Sequence, residues 1–285
     1  MTPAQPALPP LRDVIARYGL SAHRSLGQHF LLDLNLTRRI VRAAGGLAGA
    51  TAIEVGPGPG GLTRALLESE ARQVIAIEKD QRCFQALYDL REAYPERLGL
   101  LEADALDVPL AGLGAAPRHI VANLPYNVSS VLTAAWMGEI EAAPAAFAGF
   151  TLMYQKEVAT RLAANPGSRD YGRLSVLVQW LCRVEPLFDV APRAFTPPPK
   201  VTSTVVALTP RPQPLAPSSK VTLERVTAAA FGQRRKMLRQ SLKSLGGDPL
   251  ALLETAGITE TARAETLTVE EFCALARALD EREGA

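Results

Sequence analysis

Four short runs of strand-forming residues, Ala52-Ile53-Glu54-Val55, Val74-Ile75-Ala76-Ile77, Leu98-Gly99-Leu100-Leu101 and His119-Ile120-Val121-Ala122, recur every 20 to 25 residues. Patterns of helical period occupy 60–69 and 81–93 between them. Such a rhythm constrains the fold strongly, because parallel strands need a crossover long enough to hold a helix. The expected class is α/β, a Rossmann-like sheet of mostly parallel strands. Another strand is expected at Phe150–Met153, followed by a helix over Gln155–Ala164. Runs at Val184–Val190 and Ser203–Leu208 are expected to pair at one edge, with one strand reversed.

Thr209 to Ser219 holds four prolines in eleven residues, which excludes a helix or a central strand and reads as a linker. Beyond it, 220–281 has helical character throughout, and no internal repeat is seen. The division expected is a large unit over 1–208 with an N-terminal arm at 1–45, a linker at 209–219, and a small all-helical domain at 220–285. A chain of 285 residues with 47% hydrophobic content suffices for one large core and a small one. Cys83, Cys182 and Cys273 are widely spaced, so no metal site or disulfide framework is expected, and each reads as buried packing. Met1–Pro10 lacks the cationic start and apolar core of a signal peptide, and no run approaches the ~20 apolar residues of a membrane span. A cytoplasmic protein without membrane association is the expectation.

Net charge is only +2, but its distribution is uneven. Residues 54–115 carry six basic and eleven acidic side chains, which suits a cationic or hydroxyl-rich cofactor better than phosphates. Residues 1–45 hold six Arg against two Asp, and 225–247 hold six basic residues and no acidic one. The tail from 248 has three basic and nine acidic residues. A positive stripe flanked by acidic regions implies an anionic partner.

Between the first strand and the first helix lies Glu54-Val55-Gly56-Pro57-Gly58-Pro59-Gly60-Gly61-Leu62-Thr63. Glycines there let backbone approach a ligand without Cβ interference. Gly56, Gly58 and Gly61 also match a dinucleotide-binding pattern, with Glu78 at the end of the second strand. Two features favour S-adenosyl-L-methionine over a nicotinamide: acidic Glu54 and the prolines stiffen and charge the loop against a pyrophosphate, and Asp104 follows the third strand. On this reading Glu78 grips ribose hydroxyls, Asp104 and the Ala105 amide read an adenine, and the loop accommodates the methionine part.

Asn123-Leu124-Pro125-Tyr126 directly follows the fourth strand. An exocyclic amine on a purine is a poor nucleophile, because its lone pair is delocalised into the ring. The Asn123 amide oxygen and the Leu124 carbonyl together can accept both amino hydrogens and localise that lone pair. Pro125 fixes the turn and Tyr126 stacks on the base. Taken alone, the same four residues also describe an ordinary Asn-X-Pro turn with a packed tyrosine.

Five motifs in order resemble those of the small-subunit rRNA adenine dimethyltransferases: Gly27-Gln28-His29-Phe30-Leu31, the 54–63 loop, Asn123–Tyr126, Gln155-Lys156-Glu157-Val158-Ala159, and Phe195-Thr-Pro-Pro-Pro-Lys200-Val-Thr-Ser203. The resemblance runs from about residue 11 to the C-terminus. It implies a seven-stranded class I methyltransferase sheet with a small helical domain. The activity implied is transfer of two methyl groups to each of two adjacent adenines near the 3′ end of the rRNA, leaving S-adenosyl-L-homocysteine, within pre-30S particles late in assembly. No metal is implied, and a monomer is expected.

Positions matching the donor site are His29, Leu31, Gly56, Glu78, Asp104 and Asn123, with Gly58, Lys79 and Ala105 beside them. The family often has Asn where this chain has His29, a change that a backbone contact would survive. Phe195 resembles the aromatic that closes over the target base opposite Tyr126. The RNA surface is expected in Phe231–Lys243, read as one helix. Arg235, Lys236, Arg239 and Lys243 form its basic stripe, Arg234 lies beside them, and Leu238, Leu242 and Leu245 form an apolar face. A single-site methyltransferase of large-subunit rRNA, or a non-catalytic assembly factor of the same fold, would share several of these motifs.

Overall fold

The computed structural model describes residues 7–22 and 27–284. Residues 1–6 of the proline-rich start and Arg24 of the basic arm lie outside the described residues. Seven strands form one sheet: β1 (Thr51–Val55), β2 (Gln73–Glu78), β3 (Leu98–Glu102), β4 (Arg118–Asn123), β5 (Phe147–Gln155), β6 (Cys182–Val190) and β7 (Ser203–Pro210), in the order β3-β2-β1-β4-β5-β7-β6. All neighbours from β3 to β5 are parallel, and β7 runs antiparallel to both β5 and β6, so one strand is reversed. A separate two-residue ladder pairs Phe30–Leu31 with Phe195–Thr196.

Among the described residues, eleven α-helices accompany the sheet: α1 (Leu11–Arg17), α2 (Leu34–Ala44), α3 (Gly61–Leu67), α4 (Phe84–Ala93), α5 (Ser129–Ala142), α6 (Lys156–Leu162), α7 (Arg173–Leu181), α8 (Lys220–Gly232), α9 (Leu238–Ser241), α10 (Pro249–Thr255) and α11 (Val269–Gly284). Side chains alternate between two buried faces, which is why the strands read as continuous apolar runs. Ile53, Ile120, Leu152 and Tyr154 join one cluster with α5, α7 and the C-terminal helices. Ala52, Val121 and Met153 join the other with α2 and α3. Helix starts are marked by their caps: Asp33 accepts from the amides of Asn35 and Leu36, Ser219 from Thr222, and Asp248 from Leu250 with Pro249 behind it.

Two local expectations are corrected. Strand β7 continues through Thr209 and Pro210, which pair with Arg183 and Cys182. Proline is admitted because it ends the strand, where one lost donor matters least. The following residues lie against α7: Arg211 N–H donates to Leu181 O at 2.7 Å and Leu215 N–H to Trp180 O at 2.8 Å. Helix α7 itself shows no clear apolar stripe in the sequence, because it is buried on nearly every side. The basic segment is not one helix. Helix α8 stops at Gly232, residues 233–237 turn, and only Leu238–Ser241 returns to α-helix.

One buried group gives a pH prediction. His119 is 5% exposed, its Nε2 faces Thr151 Oγ1 at 3.0 Å, and burial pushes its pKa down to about 4. The imidazole is therefore neutral in the fold but charges in the unfolded chain near pH 6.5. Stability should fall as pH drops from about 6.5 to 4, by a limit of about 3 kcal/mol. Denaturant midpoints at pH 7 and pH 4.5 should show that decline in the parent and a shallower one in His119→Gln.

Candidate active site

The carboxyl ends of β1, β2, β3 and β4 open onto one cleft, at the point where the strand order reverses between β1 and β4. It encloses about 930 Å³ including its open mouth, and Gly56, Gly58, Glu78, Asp104 and Asn123 all line it. The glycine loop turns with φ of +70° at Gly56, +53° at Gly58 and +88° at Gly60, angles that side-chain-bearing residues rarely adopt. A Cβ on Gly58 would stand 3.2 Å from the Phe30 ring, and one on Gly61 would meet Leu31 O at 2.4 Å. The first turn of α3 and the N-terminal segment are thus packed backbone to backbone.

Glu78 ends β2 at 6% exposure and organises the loop. Its Oε2 accepts from Gly58 N at 3.0 Å, and its Oε1 from Lys79 N and Asp80 N, each at 2.9 Å. Burial raises its pKa, opposed by these three bonds. Lone-pair capacity remains on Oε2, which accepts only from Gly58 N, for a ligand hydroxyl. Asp104 is held differently. Its Oδ1 accepts from Leu106 N at 3.1 Å and its Oδ2 pairs with Lys79 Nζ at 3.2 Å, and these contacts keep the carboxyl ionised below its ordinary pKa. Lys79 lines the cleft beside Asp104. Ala105 is 9% exposed beside it.

Glu54 corrects one expectation and adds one residue. Its carboxyl is fully buried in the cleft wall, and burial pushes its pKa up to about 8. It does not charge the loop at neutral pH. Its Oε2 has no hydrogen-bond partner among the described residues, an orphaned acceptor beside the glycine turn. A cationic donor fits such a wall, since an ammonium or sulfonium nearby would favour the carboxylate. Phe30, which the sequence places in a motif without a role of its own, also lines the cleft, its ring packed on the glycine loop.

Asn123-Leu124-Pro125-Tyr126 forms the opposite lip. Asn123 Nδ2 donates to the main-chain carbonyl of His29 at 2.9 Å, and Leu124 is buried. The Tyr126 hydroxyl is 2.6 Å from Ser203 Oγ, which fixes the ring against β7. The His29 imidazole packs on Tyr126, with centroids 5.3 Å apart and planes 30° apart, and meets the edge of Phe195 at 6.3 Å. His29 thus turns its ring to the aromatic lip while its backbone walls the cleft. Phe195 does not line the cleft and is only 2% exposed, paired with Leu31 in the short ladder.

The profile described as ribosomal RNA adenine dimethylase matches residues 19–281. The chain belongs to that family. Ribosomal RNA small subunit methyltransferase A of Rhodospirillum rubrum is 63% identical over 273 residues, 96% of this chain and 93% of its own length. The protein of the same name from Paramagnetospirillum magneticum is 64% identical over 275 residues, 96% of each chain. Among solved structures, a dimethyladenosine transferase from Plasmodium falciparum superposes with a TM-score of 0.72 at 25% identity, covering 90% of this chain and 98% of its own. The 23S rRNA methyltransferase ErmE superposes at 0.61 with 27% identity, covering 88% and 99%. As an enzyme of the ribosomal RNA adenine dimethylase family, this chain is a methyltransferase on a class I sheet.

The basic segment lies away from the cleft in sequence and is partly neutralised. Arg234 pairs with Glu265 at 2.9 Å and Arg239 with Glu260 at 3.1 Å. Arg235, Lys236 and Lys243 are exposed and have no ion pair among the described residues. Leu238 and Leu242 are buried beneath them. Cys83, Cys182 and Cys273 are buried free thiols, and among the described residues no group of three or more His, Cys, Asp or Glu is placed to hold a metal. No helix among them is long and apolar enough to cross a membrane.

Proposed function

We propose that the chain uses S-adenosyl-L-methionine to dimethylate the N6 amino groups of two adjacent adenines in the 3′-terminal hairpin loop of small-subunit rRNA, acting as a cytoplasmic monomer on pre-30S particles. The observation that carries this reading is one cleft holding both Glu78 with Asp104 and the Asn123–Tyr126 lip. When bound, the donor supplies an electrophilic methyl group on positively charged sulfur. Glu78 receives ribose hydroxyls, Asp104 an adenine amine, and the glycine loop and Glu54 face the methionine part. Asn123 Oδ1 and the Leu124 carbonyl accept the two hydrogens of the target amine, turning its lone pair toward the cleft. Tyr126 offers its face to the extruded base, and Phe195, buried edge-on to the His29 ring, backs this aromatic lip. No side chain is assigned as general base, because the amine proton becomes acidic after attack and passes to water.

Small-subunit specificity is favoured over the large-subunit alternative by the names and identity of the two relatives above, since the sheet alone serves both kinds of enzyme. Incubation with unmethylated small subunits and labelled donor, followed by mapping of reverse-transcription stops, tests it. Two adjacent stops near the 3′ end are expected. Label in large-subunit RNA would favour the single-site reading, and no label at all the non-catalytic one.

The 220–285 part is proposed to grip RNA phosphates through Arg234, Arg235, Lys236, Arg239 and Lys243. The ion pairs rank these residues. Arg235→Ala with Lys236→Ala should reduce the slope of log affinity against log salt by about 2, while Arg239→Ala, already paired with Glu260, should change it by less than about 1. Equal slopes in all variants would move the RNA surface elsewhere.

A further inference from the structure

The chemistry proposed for Asn123 depends on which way its amide faces, because only the oxygen can accept a hydrogen from the target amine. Asn123 Nδ2 donates to His29 O at 2.9 Å. A carbonyl oxygen accepts and cannot donate, so this contact selects one of two amide orientations. The flipped amide would set two acceptor oxygens against each other, unsatisfied at the base of the cleft.

The His29 carbonyl is itself held from several sides. Phe30 and Leu31 pair with Thr196 and Phe195 immediately after it. The His29 ring donates from Nδ1 to Pro197 O at 2.7 Å, and Gln28 Nε2 donates to Asp80 Oδ2 at 2.8 Å. Gly27 turns with φ +63° so close to the aromatic lip that a Cβ there would come within 2.6 Å of Asn127 Oδ1. Residues 27–31 also wall the donor side of the cleft.

We infer that the main-chain carbonyl of His29 is the positioning group that sets the Asn123 amide for the acceptor amine. The inference rests on the role proposed above for Asn123. It assigns the work at position 29 to the backbone. The imidazole, packed on Tyr126, is not part of the contact.

Replacing Phe30 by phenyllactate through nonsense suppression converts the His29–Phe30 amide to an ester, whose carbonyl is a weaker acceptor, and keeps every side chain. Turnover on small subunits should fall about fivefold to tenfold, the loss of roughly one hydrogen bond. Affinity for S-adenosyl-L-homocysteine by calorimetry should stay within about twofold, because no donor-facing side chain changes. In spectra of protein labelled with ¹⁵N-asparagine, the Asn123 side-chain proton bonded to His29, assigned by its loss in Asn123→Ala, should move upfield. Melting temperature is read alongside, since the ester also lacks the Phe30 N–H. Gly27→Ala supplies a second route, displacing the segment against Asn127, and should move the same resonance.

An unmoved Asn123 resonance in both variants overturns the inference, as does a loss of donor affinity as large as the loss of turnover. The resonance needs no RNA, so failure of the parent enzyme to label adenines would sink the proposed function and leave this measurement standing.

Discussion

Asn123→Ala should abolish methyl transfer while leaving the donor bound. The alanine variant loses the oxygen proposed to accept from the amine, and turnover is expected to drop by about 10²–10³-fold, the range for removing one preorganised hydrogen-bonding group from a reacting centre. Its Nδ2 contact is to the protein's own backbone at His29 O, so the donor seat keeps Gly58, Glu78 and Asp104 untouched. Calorimetry with S-adenosyl-L-homocysteine should give an affinity within about threefold of the parent, with single-turnover methylation of small subunits measured in parallel. A parallel collapse of donor affinity would place Asn123 on the donor side and remove the division of labour argued above. Asn123→Asp makes a sharper comparison. It keeps an acceptor oxygen but replaces the Nδ2–H that His29 O receives, so it should retain little more activity than alanine.

Glu78→Ala should have the complementary effect and a larger structural cost. The carboxylate accepts three main-chain N–H groups, from Gly58, Lys79 and Asp80, as well as facing the cleft. Its removal leaves buried donors without partners and frees the glycine turn, so a destabilisation of about 2–4 kcal/mol is expected. Donor affinity should fall by about 100-fold or more, the equivalent of losing one or two hydrogen bonds to a charged acceptor. Glu78→Gln keeps one carbonyl oxygen and should recover part of both losses. The checks are the chemical-denaturation midpoint and the calorimetric affinity of each variant. Unchanged affinity in Glu78→Ala would mean that Glu78 serves the loop alone.

Much of the fold was legible because both faces of the sheet are buried, which leaves near-continuous apolar strands at regular intervals. The same burial hid α7, whose Val176, Leu177, Val178 and Trp180 are all inaccessible and show no stripe. That the strand ends and glycines gather around one cleft could be read, since those positions follow from the βαβ repeat. Charge states could not. Glu54 reads as an anion until its burial is known, and Arg234 and Arg239 read as free cations until Glu265 and Glu260 fold back onto them. The place of the His29 ring depends on a ladder between residues 30–31 and 195–196, a pairing that no local pattern announces.

That ladder also sets the order in which the enzyme can become competent. The ladder joins residues 30–31 to 195–196, and the His29–Pro197 hydrogen bond beside it spans 168 residues. Contacts of such separation form late, after the entropy of closing a long loop has been overcome. During synthesis, the glycine loop, Glu78 and Asp104 emerge and can assemble while the partner of Phe30 and Leu31 is still unmade. The 123–126 lip and the Phe30–Leu31 ladder therefore meet their partners at Phe195 to Ser203 only once that segment has left the ribosome.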